Sequence, residues 1–306
     1  HYPLRRQRQM CIRDRLNRPL TFANQSRYMK HFSFQSQSDA LEVHGTRWQV
    51  DKPKAIVVIS HGMAEHIGRY ARFAKVLNVA GFDVWGIDHR AHGRTLGQQG
   101  FGDFGDSGWD GLVSDLDQLV DLVAASAEPA GLPIVLFAHS MGAAAAQHFV
   151  QSSSAKIDML ILSGTTVLKP DDEVPKYNSI FEPARTPYDW LSRDEQEVDR
   201  YISDSLCGFE GQTIRNGFDR ADTRRMDPKL IALIRKDLPV LLLAGDADPV
   251  NDHMKGIDLL ESLWRDAGIL KIDRQVYAGG RHEMLNETNR ADVTRNLINW
   301  IQSGLS

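Results

Sequence analysis

The stretch Pro133-Ile134-Val135-Leu136-Phe137-Ala138-His139-Ser140-Met141-Gly142 decides the fold of this chain. Its apolar run predicts a buried strand, and the following Ala143-Ala144-Ala145-Ala146 favours a helix. A serine at so abrupt a strand-to-helix turn is lifted out of the backbone, which is the setting of a nucleophile elbow. Small residues are needed beside Ser140 because strand and helix nearly touch there, and Ala138 and Gly142 meet that need. A serine that only caps the helix is the alternative interpretation.

Two predicted strands farther along the chain end in residues that suit a partner role. Leu238–Gly245 is followed by Asp246 and Asp248, and Leu270–Tyr277 runs into a glycine-rich loop that carries His282. A serine hydroxyl needs a base to take its proton, and the base needs an acid to orient its ring. The order serine, acid, histidine is that of this type of fold, and parallel strands place their carboxyl ends at one edge. Spacing alone does not separate the two aspartates.

His282 is the best placed of the eleven histidines for the role of base. His253 follows the acid candidates too closely and is expected at the surface. His139 neighbours the serine and cannot turn back onto its hydroxyl. Four others precede the serine and suit other roles: His61, His66, His89 and His92.

The first central strand supplies the remaining part of such a site. Lys54–Ser60 is apolar and β-branched, and it leads into Gly62 and Met63. In this architecture the loop after that strand gives one backbone N–H to the oxyanion hole, and the residue after the nucleophile gives the other. The predicted donors are therefore the amides of Met63 and Met141.

A metal site is the alternative interpretation of the same loop. His61, Glu65 and His66 are all ligand types, but they lack the His-x-x-x-His spacing of a helical ligand face, and no further ligand cluster is evident. The sequence therefore predicts no metal and no organic cofactor. Asp88, His89 and Arg90 also follow a strand, and we expect them to hold the loop structure by backbone hydrogen bonds.

Five segments together resemble the monoacylglycerol lipase and lysophospholipase group of bacterial α/β-hydrolases, within the serine aminopeptidase S33-like superfamily. They are His61–Tyr70, Asp88–Arg94, Ala138–Gly142, Gly245–Asp248 and Arg281–Met284. The resemblance extends from about Tyr28 to the C-terminus and includes the middle of the chain. It implies that Asp248 is the acid. Ala138 and Ala143 stand where glycine is common in the group.

The whole pattern predicts an α/β-hydrolase fold, a doubly wound and mostly parallel sheet, because strands and helices alternate along the chain. Leading strands are predicted at Met29–Phe34 and Leu41–Trp48. An insertion at about residues 165–227 interrupts the alternation and suits a helical cap over the catalytic edge. Its aromatic residues, Trp190 among them, are predicted to line an acyl pocket in part, since an apolar chain needs such walls.

Composition sets the outer limits. The 306 residues, 42% hydrophobic and 25% charged, suit one sizeable core, and the net charge of −4 argues against a nucleic-acid partner. No apolar run is long enough to span a bilayer, which still allows transient contact with a membrane surface. The two cysteines, Cys11 and Cys207, lie far apart, which suits a reducing, cytoplasmic location.

Residues 1–15 form a basic, aperiodic opening with five arginines. Met10-Cys11-Ile12-Arg13-Asp14-Arg15 resembles the translation of a transposase adapter used in sequencing libraries. We therefore expect a non-native extension before a single domain at residues 16–306; a targeting or nucleic-acid-binding arm is the alternative.

These features predict a serine carboxylester hydrolase that cleaves small acyl esters, such as monoacylglycerol or lysophospholipid, through an acyl-enzyme. Two alternatives remain open: an aminopeptidase-like amide hydrolase, and an inactive ligand-binding homologue.

Overall fold

The centre of the molecule is an eight-stranded sheet. A computed structural model of the protein describes residues 29–98, 100–127, 131–167, 177–209 and 223–305. The predicted extension at residues 1–15, and the parts of the predicted cap at residues 168–176 and 210–222, lie outside the described residues. The strands are β1 (Met29–Gln35), β2 (Glu42–Trp48), β3 (Ala55–Ser60), β4 (Phe82–Ile87), β5 (Ile134–His139), β6 (Met159–Ser163), β7 (Val240–Gly245) and β8 (Ile272–Tyr277).

The strand order is β1-β2-β4-β3-β5-β6-β7-β8. β1 pairs antiparallel with β2, and β2 with β4, whereas the pairs from β4 to β8 are parallel. The mostly parallel sheet predicted from the sequence is thus confirmed, including the two leading antiparallel strands. Its central strands are buried along their whole length, as expected of strands covered on both faces.

Helices cover both faces of the sheet. In the part of the chain that the structure describes they are α1 (Ala71–Ala80), α2 (Gly108–Ser126), α3 (Met141–Ser153), α4 (Glu195–Ser203), α5 (Pro228–Ile231), α6 (Lys255–Asp266) and α7 (Arg290–Gly304). Alternate strand residues point to opposite faces. Leu136 and Leu242 pack with α2, α3 and α6, whereas Phe137 and Leu243 pack with α1 and α7. This arrangement is doubly wound, as the sequence predicts.

The loops that matter for function follow the carboxyl ends of β3, β5, β7 and β8. Because these strands are parallel neighbours or next neighbours, their ends lie along one edge of the sheet. The described part of the insertion, residues 177–209, packs against the same edge: His282 N donates to Trp190 O at 3.4 Å, and Glu283 N to Leu191 O at 2.8 Å.

None of the helices within the described ranges combines the length and the apolar character that crossing a membrane requires.

Candidate active site

Ser140 stands at the turn between β5 and α3, with φ 53° and ψ −116°. A positive φ is unfavourable for a residue with a Cβ, and such strain is often found where a side chain must be presented for chemistry. The turn is fixed at both ends, because Ser140 N donates to Ser163 O at 2.9 Å and Ala144 N donates to Ser140 O at 3.0 Å. The strand–turn–helix unit predicted from the sequence is present.

Gly142 lets α3 approach β3 closely. A Cβ on this residue would lie 2.3 Å from Ser60 O, which is too close for any side chain. Ala138 and Ala143, the positions where the related group often has glycine, are both fully buried with their methyl groups accommodated. The contact distance therefore excludes a side chain at residue 142.

His282 and Asp248 are in contact. His282 Nδ1 lies 2.9 Å from Asp248 Oδ2, and both side chains are almost completely buried. The second oxygen of Asp248 accepts from Val250 N at 2.9 Å, which fixes the carboxylate. Asp246 instead accepts from Gly279 N at 2.6 Å. Of the two aspartates that spacing leaves open, the structure brings Asp248 to the imidazole.

Gly164 links the imidazole to the serine turn. A Cβ on Gly164 would lie 2.9 Å from His282 Cε1, so the ring packs directly on this backbone. The preceding residue, Ser163, is the one whose carbonyl binds Ser140 N. The three predicted residues Ser140, Asp248 and His282 thus lie at one edge of the sheet, although they follow three different strands, β5, β7 and β8.

The His282 ring lies between two other rings. Its centroid is 5.0 Å from that of Trp190 and 4.7 Å from that of His139. Burial, together with the neighbouring His282, lowers the pKa of His139 to about 4, so His139 is neutral at physiological pH. Trp190, predicted to line an acyl pocket, lies directly beside the candidate base.

His253 is exposed, as expected of a surface residue.

The loop after β3 lies beside Ser140. A Cβ on Gly62 would be 3.2 Å from Ser140 Cβ. His61 Nδ1 donates to Gly62 O at 2.8 Å, and this fixes the peptide group that carries the Met63 amide. Met141 is the first residue of α3, where backbone N–H groups have no partner within the helix. Both predicted oxyanion donors therefore belong to backbone that adjoins Ser140.

A buried charge network behind this loop is not predicted from the sequence. Glu65 accepts from Gly62 N at 2.6 Å, from Tyr70 Oη at 2.8 Å and from Arg69 at 2.7 Å. Arg69 also binds both oxygens of Glu283, the neighbour of His282. Burial is the largest single effect on the pKa of Glu65 and acts to raise it, but the Arg69 charge, the neighbouring His139 and His61 and the hydrogen bond from Gly62 N together outweigh burial and hold the pKa at about 2. The i,i+4 spacing of Glu65 and Arg69 is the one signal that sequence reasoning could have used.

The histidines of the first loop are engaged in hydrogen bonds. His61 Nε2 accepts from His89 N at 2.9 Å. The donor atoms of His66, Asp204 and Cys207 lie within 4.8 Å of one another, as ligands of a metal would. However, His66 Nδ1 accepts from Gly68 N at 3.2 Å, so the proton of the neutral ring is on Nε2, which donates to Asp204. A metal bound to Nε2 would move this proton to Nδ1, where it would face the N–H of Gly68. The hydrogen bonds of His66 therefore oppose metal binding at this cluster.

Asp88 holds loop structure through backbone N–H groups, as expected from the sequence, whereas Arg90 also uses two carboxylates, which the sequence did not predict. Asp88 accepts from Ile67 N at 2.9 Å and from Arg94 Nε at 2.9 Å. Arg90 is fully buried and binds Asp115 and Asp39.

A mostly parallel sheet wound on both faces, with a strained serine after a central strand and an Asp–His contact at the same edge, defines an α/β-hydrolase. The serine aminopeptidase, S33 family matches residues 51–289. The chain therefore belongs to this family and is a hydrolase.

Several named proteins are similar to this chain over most of their length. The chain is 29% identical to the monoacylglycerol lipase of Mycolicibacterium smegmatis over 84% of this chain and 92% of that protein. It is 30% identical to phospholipase YtpA of Bacillus subtilis over 80% of this chain and 94% of that protein. A thermostable carboxyl esterase from Bacillus coagulans, crystallised with glycerol, matches with a TM-score of 0.79 at 25% identity, covering 91% and 99% of the two chains.

Proposed function

We propose that this protein is a serine carboxylester hydrolase that cleaves monoacylglycerol, lysophospholipid or similar acyl esters through an acyl-enzyme. The observation that carries the proposal is the 2.9 Å contact between His282 Nδ1 and Asp248 Oδ2 at the sheet edge where Ser140 is presented. It is supported by the similarity to a monoacylglycerol lipase, a phospholipase and a carboxyl esterase.

In the proposed mechanism Ser140 Oγ attacks the ester carbonyl while His282 Nε2 takes the hydroxyl proton. Asp248 accepts the Nδ1 proton in a hydrogen bond, which fixes the tautomer and stabilises the imidazolium. The amides of Met63 and Met141 bind the oxyanion of the tetrahedral intermediate. When the intermediate collapses, the ester C–O bond breaks and His282 returns the proton to the leaving alcohol. Water then repeats these steps on the acyl-enzyme and releases the fatty acid and free Ser140.

An amide hydrolase of the aminopeptidase type is the second candidate, because the family bears that description. Recognition of a free amino group requires an unpaired carboxylate near the serine. Three carboxylates act electrostatically on His139 beside the site. Glu65 and Glu283 bind Arg69, and Asp248 binds His282, so within the described ranges these three are already paired. This pairing favours an ester without a charged amine.

A substrate panel distinguishes these candidates. We expect monoacylglycerol and medium-chain aryl esters to be hydrolysed far faster than aminoacyl amides, and kcat/KM to rise with acyl length until the pocket is full. Each buried methylene contributes up to about 0.8 kcal/mol. Faster cleavage of aminoacyl amides would support the peptidase instead. Absence of fluorophosphonate labelling at every pH tested would favour an inactive binding protein.

Trp190 is expected to affect both the base and the acyl chain. Because its ring packs on His282, Trp190→Ala should lower kcat/KM about tenfold even for acetate esters, the equivalent of about 1.4 kcal/mol. If the indole also lines the acyl pocket, the loss should be larger for octanoate esters. The measurement compares kcat/KM for aryl acetate and octanoate.

Trp300 offers a matched control for this variant. Its indole lies on α7 and binds Asp273, so Trp300→Ala removes the same side chain away from the candidate site. Equal losses for acetate and octanoate in Trp190→Ala would show that Trp190 supports His282 and makes no contact with the chain.

A further inference from the structure

The described part of the insertion binds the loop after β3 at two residues, through three hydrogen bonds. Tyr201 Oη donates to Ala64 O at 3.0 Å, and Gly208 N donates to the same oxygen at 2.9 Å. His66 Nε2 donates to Asp204 Oδ2 at 2.9 Å. Residues 201–208 of the insertion, hereafter the docking segment, are thus fixed to the residues that directly follow Met63.

Ala64 has a backbone conformation that needs such support. Its φ is +54°, in the left-handed region that is unfavourable for alanine. A carbonyl oxygen has two lone pairs, and the two donors of the docking segment use both. The two hydrogen bonds to Ala64 O limit rotation about the backbone φ and ψ angles on either side of Ala64. They therefore also limit the orientation of the Met63 backbone, which directly precedes Ala64.

The core holds the other side of Met63. Glu65 accepts from Gly62 N at 2.6 Å, and His61 donates to Gly62 O at 2.8 Å. The residue before Met63 is therefore fixed by the core, and the residue after it is fixed by the docking segment.

We propose that the docking segment completes the oxyanion hole: His61 holds the Met63 amide from the Gly62 side, and Tyr201 is a positioning residue that restrains Met63 from the other side through Ala64. This inference rests on the proposed function. It makes the insertion a support of the oxyanion hole, in addition to its predicted role as a wall of the acyl pocket.

Tyr201 is itself held firmly enough for this role. Its ring lies 4.9 Å from the Arg69 guanidinium carbon on one side and 5.1 Å from the Tyr188 ring on another. Tyr188 Oη donates to Gly208 O at 3.1 Å, and Gly208 has φ +69°, which glycine adopts without strain. The two donors to Ala64 O are therefore also connected to each other.

Tyr201→Phe tests the proposal because it removes one hydroxyl and keeps the ring. We expect kcat for a medium-chain aryl ester to fall about tenfold, less than the hundredfold or more for loss of an oxyanion donor, because the Gly208 bond remains. KM should stay within about twofold, since the interaction acts in the transition state. Affinity for an alkylboronic acid, which forms a tetrahedral adduct with serine, should fall in parallel with kcat.

Tyr277→Phe is the matched control. The Tyr277 hydroxyl bonds with Gln275 and Asn296, so the variant removes a hydrogen-bonded phenol away from the loop after β3. We expect its kcat and boronate affinity to equal those of the unaltered protein.

Asp204→Ala provides a second, independent variant should Tyr201→Phe lower the melting temperature. It releases the docking segment from His66 and should reduce kcat and boronate affinity with little change in KM. The inference would be overturned if kcat and boronate affinity were unchanged in both variants, or if KM rose while kcat stayed the same. If the unaltered protein does not react with a fluorophosphonate at Ser140, the proposed function fails instead, so the two failures are distinguishable.

Discussion

Ser140→Ala is expected to abolish covalent labelling by a fluorophosphonate and to reduce ester turnover by a factor on the order of a million. The reason is chemical: the hydroxyl is the atom that forms the acyl-enzyme, and alanine offers no nucleophile. A small residue at this position also keeps the turn intact, because the backbone bonds of residue 140 to Ser163 and Ala144 do not involve the side chain. The measurement combines gel-based labelling with the rate of hydrolysis of a medium-chain aryl ester.

Ser152→Ala is the appropriate control for the labelling experiment. Ser152 lies near the end of the same helix, α3, and its hydroxyl donates to Phe149 O at 3.4 Å. Labelling and turnover should be unchanged in this variant. Persistent labelling of Ser140→Ala at the rate of the unaltered protein would place the nucleophile elsewhere and remove the basis of the proposed mechanism.

Asp248→Asn is expected to lower kcat by roughly ten-thousandfold, while Asp246→Asn changes it little. The Asp248 carboxylate lies 2.9 Å from His282 Nδ1, and an amide at that position would favour the wrong tautomer of the base. Asp246 accepts one hydrogen bond from Gly279 N at 2.6 Å, which an asparagine oxygen can also accept. The two variants carry the same chemical change two residues apart, so each is the control for the other.

The measurement is kcat of each variant on one ester, with melting temperature as a check on folding. A greater loss in Asp246→Asn would refute the assignment of Asp248. A similar large loss in both, without unfolding, would show that the loop after β7 must keep both charges for the imidazole to be oriented.

The sequence by itself determined the sheet and the serine turn. Buried strands such as β3 and β5 are short runs of β-branched and aromatic residues between turn residues, and this local pattern is sufficient to identify them. The turn at Ser140 was also local, since the need for Gly142 follows from a strand that passes directly into a helix. Boundaries were less accurate: the strand predicted at Leu270–Tyr277 begins at Ile272, because the alternating apolar pattern continues to Leu270, which is exposed in the structure.

The tertiary structure alone decided which groups meet. Asp246 and Asp248 follow the same strand, and the direction of each side chain depends on the turn that the chain takes there, so their spacing could not rank them. The bidentate pair of Arg69 and Glu283 joins residues 214 positions apart. The contact between Tyr201 and Ala64 joins residues 137 positions apart. Such contacts depend on how the insertion and the strand-end loops pack at one edge, which no periodicity within either segment encodes.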